Sequence, residues 1–542
     1  MRAASTFRRT SDLVRSVEIL RRRGLVHPLR LDRDLRALSV ARRAGPFAAM
    51  ILDSARSAPD SPALVDEAGT ITYGELEAQG NALARGLAET GLGPGDVAGL
   101  LCRDHRGLVL SLIAASKLGV RVVFMNTGFG KPQLADVVER EGVTAMLLDG
   151  EFLPLTDALP RDMPRVLTWT DGGEGVDSAV PTLDDLIAGR STAPPPLPER
   201  PGGMVLLTSG TTGRPKGAPR DKISPMQSAQ ILDRIPLSRG GTMVLATPLF
   251  HGTGLGNFVM AMTLGKRVVL RRRFDPEATL AAIAAHRADT LVVVPTMLQR
   301  IVDLGPAALA RHDTSTLRIM VCAGSALPPD LCRRATEAFG DVLYNLYGST
   351  EVANASVATP AELRRAPGTV GRPPVGCRLA LYDERRNRIT APNVPGTIFV
   401  STGLSFGGYT DGGNKERLDG MISTGDVGHL DDEGLLFIDG RDDEMIVSGG
   451  ENVFPVEVEN LIAGRSDVLE AAVVGVDDPE FGQRLRAFVV AGPDADLDAE
   501  EIKGYVKANL ARHKVPRDVV FVDELPRNPT GKVLRRELDR SG

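Results

Sequence analysis

The run Leu206-Leu207-Thr208-Ser209-Gly210-Thr211-Thr212-Gly213-Arg214-Pro215-Lys216-Gly217 decides how the rest of the chain is read. Two apolar residues finish a predicted strand, and the ten that follow hold three glycines, four hydroxyls and one lysine. Small residues let backbone N–H groups approach a polyanion, the hydroxyls add donors, and Lys216 supplies a point charge. The spacing is not that of a Walker A loop, because Arg214 and Pro215 separate Gly213 from Lys216. An ordinary flexible surface turn is the competing reading; the strand before the loop and the lysine within it argue against that.

Working outward, short apolar runs alternate with helical patterns: Val97 to Cys102, Leu108 to Leu118, Val122 to Met125, and Leu291 to Val294 before a helix at Thr296. This is the pattern of β-α-β units and predicts an α/β fold with parallel-rich sheets, whose ligand loops lie at the carboxyl ends of the strands. Three more strand-to-loop junctions carry polar tips: Ala323-Gly324-Ser325-Ala326, Asn345 to Glu351, and Thr424-Gly425-Asp426 before a predicted hairpin at Asp432 to Gly434. Gly440-Arg441-Asp442-Asp443-Glu444 then precedes Ser448-Gly449-Gly450. After Asp443 about a hundred residues read as a small α+β unit, with strands at Glu470 to Val476, Arg484 to Val490 and Val519 to Val522. Asp498 and Glu501 look like the capping box of a helix that carries Ile502, Val506 and Leu510.

A chain of 542 residues, 42% hydrophobic and 25% charged, is too long for a small binding module and too balanced for a disordered or membrane-spanning class. A net charge of -5 argues against wholesale nucleic-acid binding. That average hides residues 1–45, where twelve Arg face four acids, a net of +8. Leu13, Val14, Val17 and Leu20, then Leu31, Leu35 and Leu38, recur at helical spacing there, which predicts two basic amphipathic helices. Two readings stay open: the helices pack on the body, or they make a peripheral contact with an anionic lipid surface. Arg8-Arg9 is not an export signal, since Arg15, Glu18 and Arg21 to Arg23 interrupt any apolar stretch. Four cysteines without a C-x-x-C pair fit a reducing cytoplasm, with the inner membrane face as the alternative address.

Together TSGTTGRPKG (208–217), NLYGSTE (345–351), STGD (423–426), GRDDEMIVSGGENVFPVEVE (440–459) and PRNPTGK (526–532) resemble the adenylate-forming superfamily of acyl-CoA synthetases, nonribosomal-peptide adenylation domains and luciferases, most of all a bacterial fatty-acyl-CoA synthetase. Beside the basic helical segment at 1–45 read from its own pattern, the resemblance implies a large multi-subdomain amino-terminal domain at 46–442 and a small mobile domain at 443–542. It implies that a carboxylate attacks the α-phosphate of ATP, with Mg2+ present, and that a thiol, that of coenzyme A, then displaces AMP. Thr208, Ser209, Gly210, Thr211, Thr212, Gly213 and Lys216 would hold the β- and γ-phosphates. Glu351 would ligate the metal, and Thr350 would touch the α-phosphate. Gly324, Ser325 and Ala326 with Asn345, Leu346, Tyr347 and Gly348 would frame the adenine. Asp426 and Arg441 would take the ribose. His251 would gate the acyl pocket, which Gly252, Gly256, Gly324 and Gly348 would help to line. Lys532 would bridge carboxylate and α-phosphate, Asp443 would be the hinge, and Ser448, Gly449 and Gly450 would line the coenzyme A path. Glu444 departs from the family's more usual Asp.

For the acid, Gly252, Gly254 and Gly256 ahead of apolar Phe258 to Leu264 predict a deep apolar slot, which favours a medium- or long-chain fatty acid; an aryl acid stays open. Ten residues follow Lys532, so the acceptor is expected in trans: coenzyme A, or a separate carrier protein in the alternative. A non-catalytic acyl- or nucleotide-binding scaffold is the reading from a different class. Lys216, Glu351, Asp426 and Lys532 occurring together speak against it.

Overall fold

The computed structural model describes residues 2–26, 31–171, 180–209, 215–220, 225–402, 406–448, 451–478, 481–492, 495, 497–528 and 532–538. Four sheets organise these residues. In the first, five pairings among six strands are parallel, joining Leu343–Ser349, Ile319–Ala323, Thr290–Val293, Thr242–Leu245, Arg267–Val269 and Pro62–Asp66 in that order. Antiparallel strands Ala353–Ala358 and Gly69–Thr72 close its edges. The second sheet runs Arg165–Trp169, Ala145–Asp149, Val97–Leu101, Arg121–Phe124 and Met204–Ser209 in parallel, with Pro215–Pro219 antiparallel at the edge. The β-α-β reading holds because the central strands are buried along their whole length, as in Thr290–Val293 and Ile319–Ala323.

A third, antiparallel sheet carries Met421–Leu430 against Leu436–Arg441. The expected turn between them is closed by the Gly434 N–H donating to the Asp431 carbonyl at 2.9 Å. The separate small carboxy-terminal domain holds the fourth sheet. There Val468–Asp478 pairs antiparallel with Gly482–Ala491, and Asp518–Phe521 runs parallel to the latter. The predicted helix with Ile502 and Val506 buried is Ala499–Asn509, but its Asp498 N-cap makes no side-chain hydrogen bond, so the expected capping box does not form.

The amino-terminal helices are Arg2–Arg22 and Leu31–Ala44. Leu20 is buried in the main core, and Arg15 pairs with Asp233 at 3.0 Å on the helix Pro225–Arg234. The segment therefore packs on the body. Leu13, Val14 and Val17 nevertheless stay 52%, 64% and 45% exposed. Among the described residues no helix is long and apolar enough to cross a membrane.

Candidate functional site

The strand ends converge on one large cavity of about 3590 Å3. It is lined by Thr208 and Lys216 from the second sheet, Gly324 to Ala326 and Asn345 to Glu351 from the first, Asp426 and Arg441 from the third, and Lys532 from the small domain. Such convergence at carboxyl ends of parallel strands follows from the fold, because each strand delivers its following loop to the same side. Gly210, Thr211, Thr212 and Gly213 lie outside the described residues, as do Gly449 and Gly450, and the Ser209 side chain is likewise undescribed.

Lys216 stands opposite Thr208 in the strand register, and its ammonium lies 5.2 Å from the centre of the Tyr409 ring. The Tyr409 hydroxyl donates to Glu351 Oε1 at 2.6 Å, while its ring packs edge-on against Phe406, 4.7 Å between centres. Two backbone bonds fix this segment: the Phe406 N–H donates to the Glu351 carbonyl and the Thr410 N–H to the Gly217 carbonyl, both at 2.9 Å. Tyr409 thus locks the cation and the carboxylate into one frame. Burial and the adjacent Glu351 push its phenol well above the ordinary range, so it stays a neutral donor.

Asp426 and Arg441 face each other in register across the antiparallel pair, with 3.6 Å between Arg441 Nη1 and Asp426 Oδ1. Asp426 also accepts from the Tyr347 hydroxyl at 2.5 Å, and its own N–H donates to Thr424 Oγ1 at 3.1 Å. Burial pushes the Asp426 carboxyl up, against the pull of Tyr347 and Arg441. Arg441 Nε donates to Asp443 Oδ1 at 2.8 Å, so one guanidinium lies against both Asp426 and Asp443. The Asn345 amide donates to the Thr369 carbonyl at 3.0 Å, which ties it to the scaffold. Thr350 and Leu346 line the cavity, half-buried.

His251 sits at the head of the helix Gly252–Thr263, its ring 4.4 Å from that of Phe250. Its Nε2 is buried without a partner among the described residues, and burial lowers its pKa to about 4, so it is a neutral imidazole. The loop before it is held by Asp104, whose Oδ1 accepts from the Leu249 N–H at 2.9 Å.

The glycines divide by helix face. A Cβ on Gly256 would meet nothing within 4 Å, and one on Gly252 only Leu206 at 3.8 Å, so both leave room. A Cβ on Gly254 would lie 2.2 Å from the Pro248 carbonyl oxygen, so this glycine serves close backbone packing and adds nothing to the slot. Gly348 lines the cavity, but a Cβ there would lie 1.9 Å from the Ala353 carbonyl oxygen; its smallness answers to the irregular pairing of Leu343–Ser349 with Ala353–Ala358. Gly324 is in the left-handed region at φ 103°, which a larger residue adopts only with strain.

The Lys532 N–H donates to Asn528 Oδ1 at 2.9 Å, which places the lysine at the cavity wall. Ser448 is not brought there: it lies on the hairpin Ile446–Ser448 and Glu451–Val453, paired with Gly482 in the fourth sheet. Among the described residues no three His, Cys, Asp or Glu side chains form a metal cage. A carboxylate on the cavity wall such as Glu351 suits Mg2+, which takes one or two carboxylates with substrate phosphates and keeps several waters. Sequence reasoning missed Tyr409 and Asp104, because neither lies in a polar loop beside its partner.

The profile of AMP-binding enzymes matches residues 51–410, and that of the AMP-binding enzyme carboxy-terminal domain matches 457–532. The fatty acid–[acyl-carrier-protein] ligase ScoC of Streptomyces coeruleorubidus is 31% identical over 502 residues, covering 89% of this chain and 94% of that protein. Feruloyl-CoA synthase of an Amycolatopsis species is 32% identical, covering 90% of this chain and 97% of its own. The o-succinylbenzoate CoA synthetase of Bacillus subtilis, solved with its acyl-adenylate intermediate, superposes with a TM-score of 0.76 at 26% identity, covering 90% of this chain and 97% of that one.

Proposed function

The chain belongs to the AMP-binding, adenylate-forming enzyme family, and from that premise we propose that it activates an aromatic carboxylic acid as its acyl-adenylate and transfers the acyl group to coenzyme A. At the coarser level it is an acid–thiol ligase that uses ATP, Mg2+ and coenzyme A. The observation that carries the reading is the junction at His251, where the cluster of Lys216, Glu351 and Asp426 opens onto the face of the helix Gly252–Thr263 that bears Gly252 and Gly256. Two glycines one turn apart leave room for a flat ring beside the reacting carboxylate. The aromatic acids named for the feruloyl and succinylbenzoate relatives support the same class.

In this reading the acid's carboxylate oxygen attacks the α-phosphorus and pyrophosphate leaves; the thiol sulfur then attacks the acyl carbonyl and AMP leaves. The first step brings two anions together, so positive charge and fixed donors must face them. Lys216 and Lys532 supply the charge, Asp426 with Arg441 orients the ribose, and Tyr409 holds Glu351 for the metal. Mg2+, when bound, neutralises phosphate charge. The neutral His251 adds no charge at the acyl gate and lets the ring pass. Asp443, tied to Arg441, is the pivot on which the small domain turns between the two steps.

A second reading, a fatty acid, is favoured by the extension of the cavity beyond the ring-sized slot to Phe124 and Met204. A panel of aromatic and straight-chain acids scored for AMP release with and without coenzyme A separates the two. Coenzyme A-dependent release with aromatic acids is expected. Release confined to straight-chain acids, or dependent only on a carrier protein, would overturn the proposal. A peripheral lipid contact belongs to the same reading, motivated by exposed Leu13, Val14 and Val17 within the basic segment.

A further inference from the structure

We propose that the amino-terminal helices are part of the acyl site: they wall the far end of the channel that starts at His251, so the enzyme binds an acid whose apolar body reaches well beyond one ring. The inference rests on the acid-activating reading above and specifies the substrate's shape.

The cavity is continuous from the nucleotide cluster to these helices. One wall is the helix Gly252–Thr263, where Gly252, Gly256, Val259 and Thr263 share a face and line the cavity. At 1.5 Å per residue that wall runs for about 16 Å. The opposite wall is the second sheet, where Val122 pairs with Met204 and Phe124 with Leu206. Side chains two apart on a strand point the same way, so these four make one apolar surface. All four border the cavity but expose little surface to it, so the passage is narrow along this stretch.

Beyond it, Phe47 meets Phe124 edge to face, with 6.3 Å between ring centres, and the passage turns along the helix Leu31–Ala44. Ala37, Leu38, Ala41 and Ala44 line it there, at spacings that share one helix face. Leu20, Leu25 and Val26 line it from the preceding segment, and exposed Arg42 stands at the rim. The family profile begins at residue 51, so this end of the site is built by a part of the chain that the profile does not cover.

A polar feature within the passage has the same implication. Asn257 is 4% exposed and lines the cavity; its Nδ2 donates to the Thr253 carbonyl at 2.9 Å, while Oδ1 has no partner among the described residues. A buried acceptor of this kind suits a donor carried on the acid part-way along its body.

The test uses the full chain with Ala41→Trp, and independently Ala37→Leu, against Leu35→Trp, which alters the 66%-exposed residue on the other side of the same helix. Acids range from benzoate to the same ring bearing a long alkyl tail, and from hexanoate to palmitate. Each buried methylene contributes about fourfold to binding. Filling the far end should therefore lower kcat/KM for the longest acids at least about tenfold relative to the shortest, with Leu35→Trp changing neither. Binding of cis-parinaric acid, read by its fluorescence, should weaken in Ala41→Trp by a similar factor whether or not turnover is seen. If no acid releases AMP, the activation reading falls while the binding arm still judges the channel. If Ala41→Trp and Ala37→Leu leave both the length profile and parinaric acid binding unchanged, or depress all lengths equally, the channel proposal is overturned.

Discussion

Removing one oxygen atom tests whether Tyr409 sets Glu351, the carboxylate proposed to hold the metal. In Tyr409→Phe the ring remains, with its edge-on contact to Phe406 at 4.7 Å and the Lys216 ammonium 5.2 Å from its centre. Only the 2.6 Å hydrogen bond to Glu351 is lost. A hydrogen bond to a charged group contributes about 1.5–3 kcal/mol net. At 1.4 kcal/mol per decade this corresponds to a fall of about tenfold to 100-fold in kcat/KM for MgATP. Because Glu351 is itself 9% exposed, water replaces the hydroxyl only in part, and the loss should not collapse to the value for a surface pair. The assay is AMP release at fixed acid and coenzyme A over a series of Mg2+ concentrations. The half-saturating Mg2+ should rise while KM for the acid stays put. A Mg2+ titration and kcat/KM indistinguishable from the unmodified chain would refute the positioning role, and an equal rise in KM for acid and metal would indicate general disturbance of the cavity.

Lys532→Ala should lose adenylation yet keep thioester formation from a supplied acyl-adenylate; equal loss in both half-reactions would reject its role. Asp104 is pushed up to about 7 by burial, so between pH 4 and pH 7 folding takes up a proton and stability falls as pH rises. Asp104→Asn should flatten that slope in thermal unfolding and gain up to about 4 kcal/mol above pH 7, at 1.36 kcal/mol per pKa unit; an unchanged slope would count against it. Gly254→Ala, with its Cβ 2.2 Å from the Pro248 oxygen, should cost about 1–3 kcal/mol in urea unfolding, whereas Gly256→Ala, with open space, should gain up to about 1 kcal/mol from helix propensity. Replacing Leu13, Val14 and Val17 by Ser should weaken binding to anionic vesicles and leave activity in solution unchanged; undiminished vesicle binding would remove the lipid contact from the proposal.

What was legible in the sequence was local. Thr208 to Lys216, Asn345 to Glu351 and Thr424 to Asp426 each put polar residues and glycine directly after an apolar run, and strand-to-loop chemistry of that kind survives being read one segment at a time. The hairpin turn at Asp432 to Gly434 was legible too, and the structure shows that it sets Asp426 opposite Arg441. Tyr409 and Glu351 are 58 residues apart, and Asp104 and Leu249 are 145 apart. Their contacts depend on how separate sheets dock, which no local pattern encodes. The alternating glycines of 252–256 were misread for another reason: in a helix 252 and 256 share a face, and 254 points away toward the chain at Pro248. In the amino-terminal helices periodicity gave the amphipathic form, but it could not say that Leu20 would be buried while Leu13 and Val14 stayed exposed.

Two acidic residues of the cavity, Glu351 and Asp426, are held by the same device, and the charge balance gives a reason for it. Glu351 takes its hydrogen bond from Tyr409 and Asp426 from Tyr347. Burial, reinforced by the carboxylate each one faces, raises both phenols well above their ordinary range, so both remain neutral donors. A lysine or arginine in either place would orient the carboxylate as well, but its charge would be spent on a protein anion in a site that must receive a triphosphate and a second carboxylate. With phenols as the partners, Lys216 makes a ring contact at Tyr409 and keeps its charge for a phosphate. Arg441 is placed differently, since Asp426 and Asp443 flank it at 3.6 and 2.8 Å, and its charge is already shared between these two carboxylates. In the proposed reading, loading of the nucleotide and rotation of the small domain would then meet at one guanidinium, whereas the phosphates would meet a lysine that no carboxylate among the described residues has neutralised.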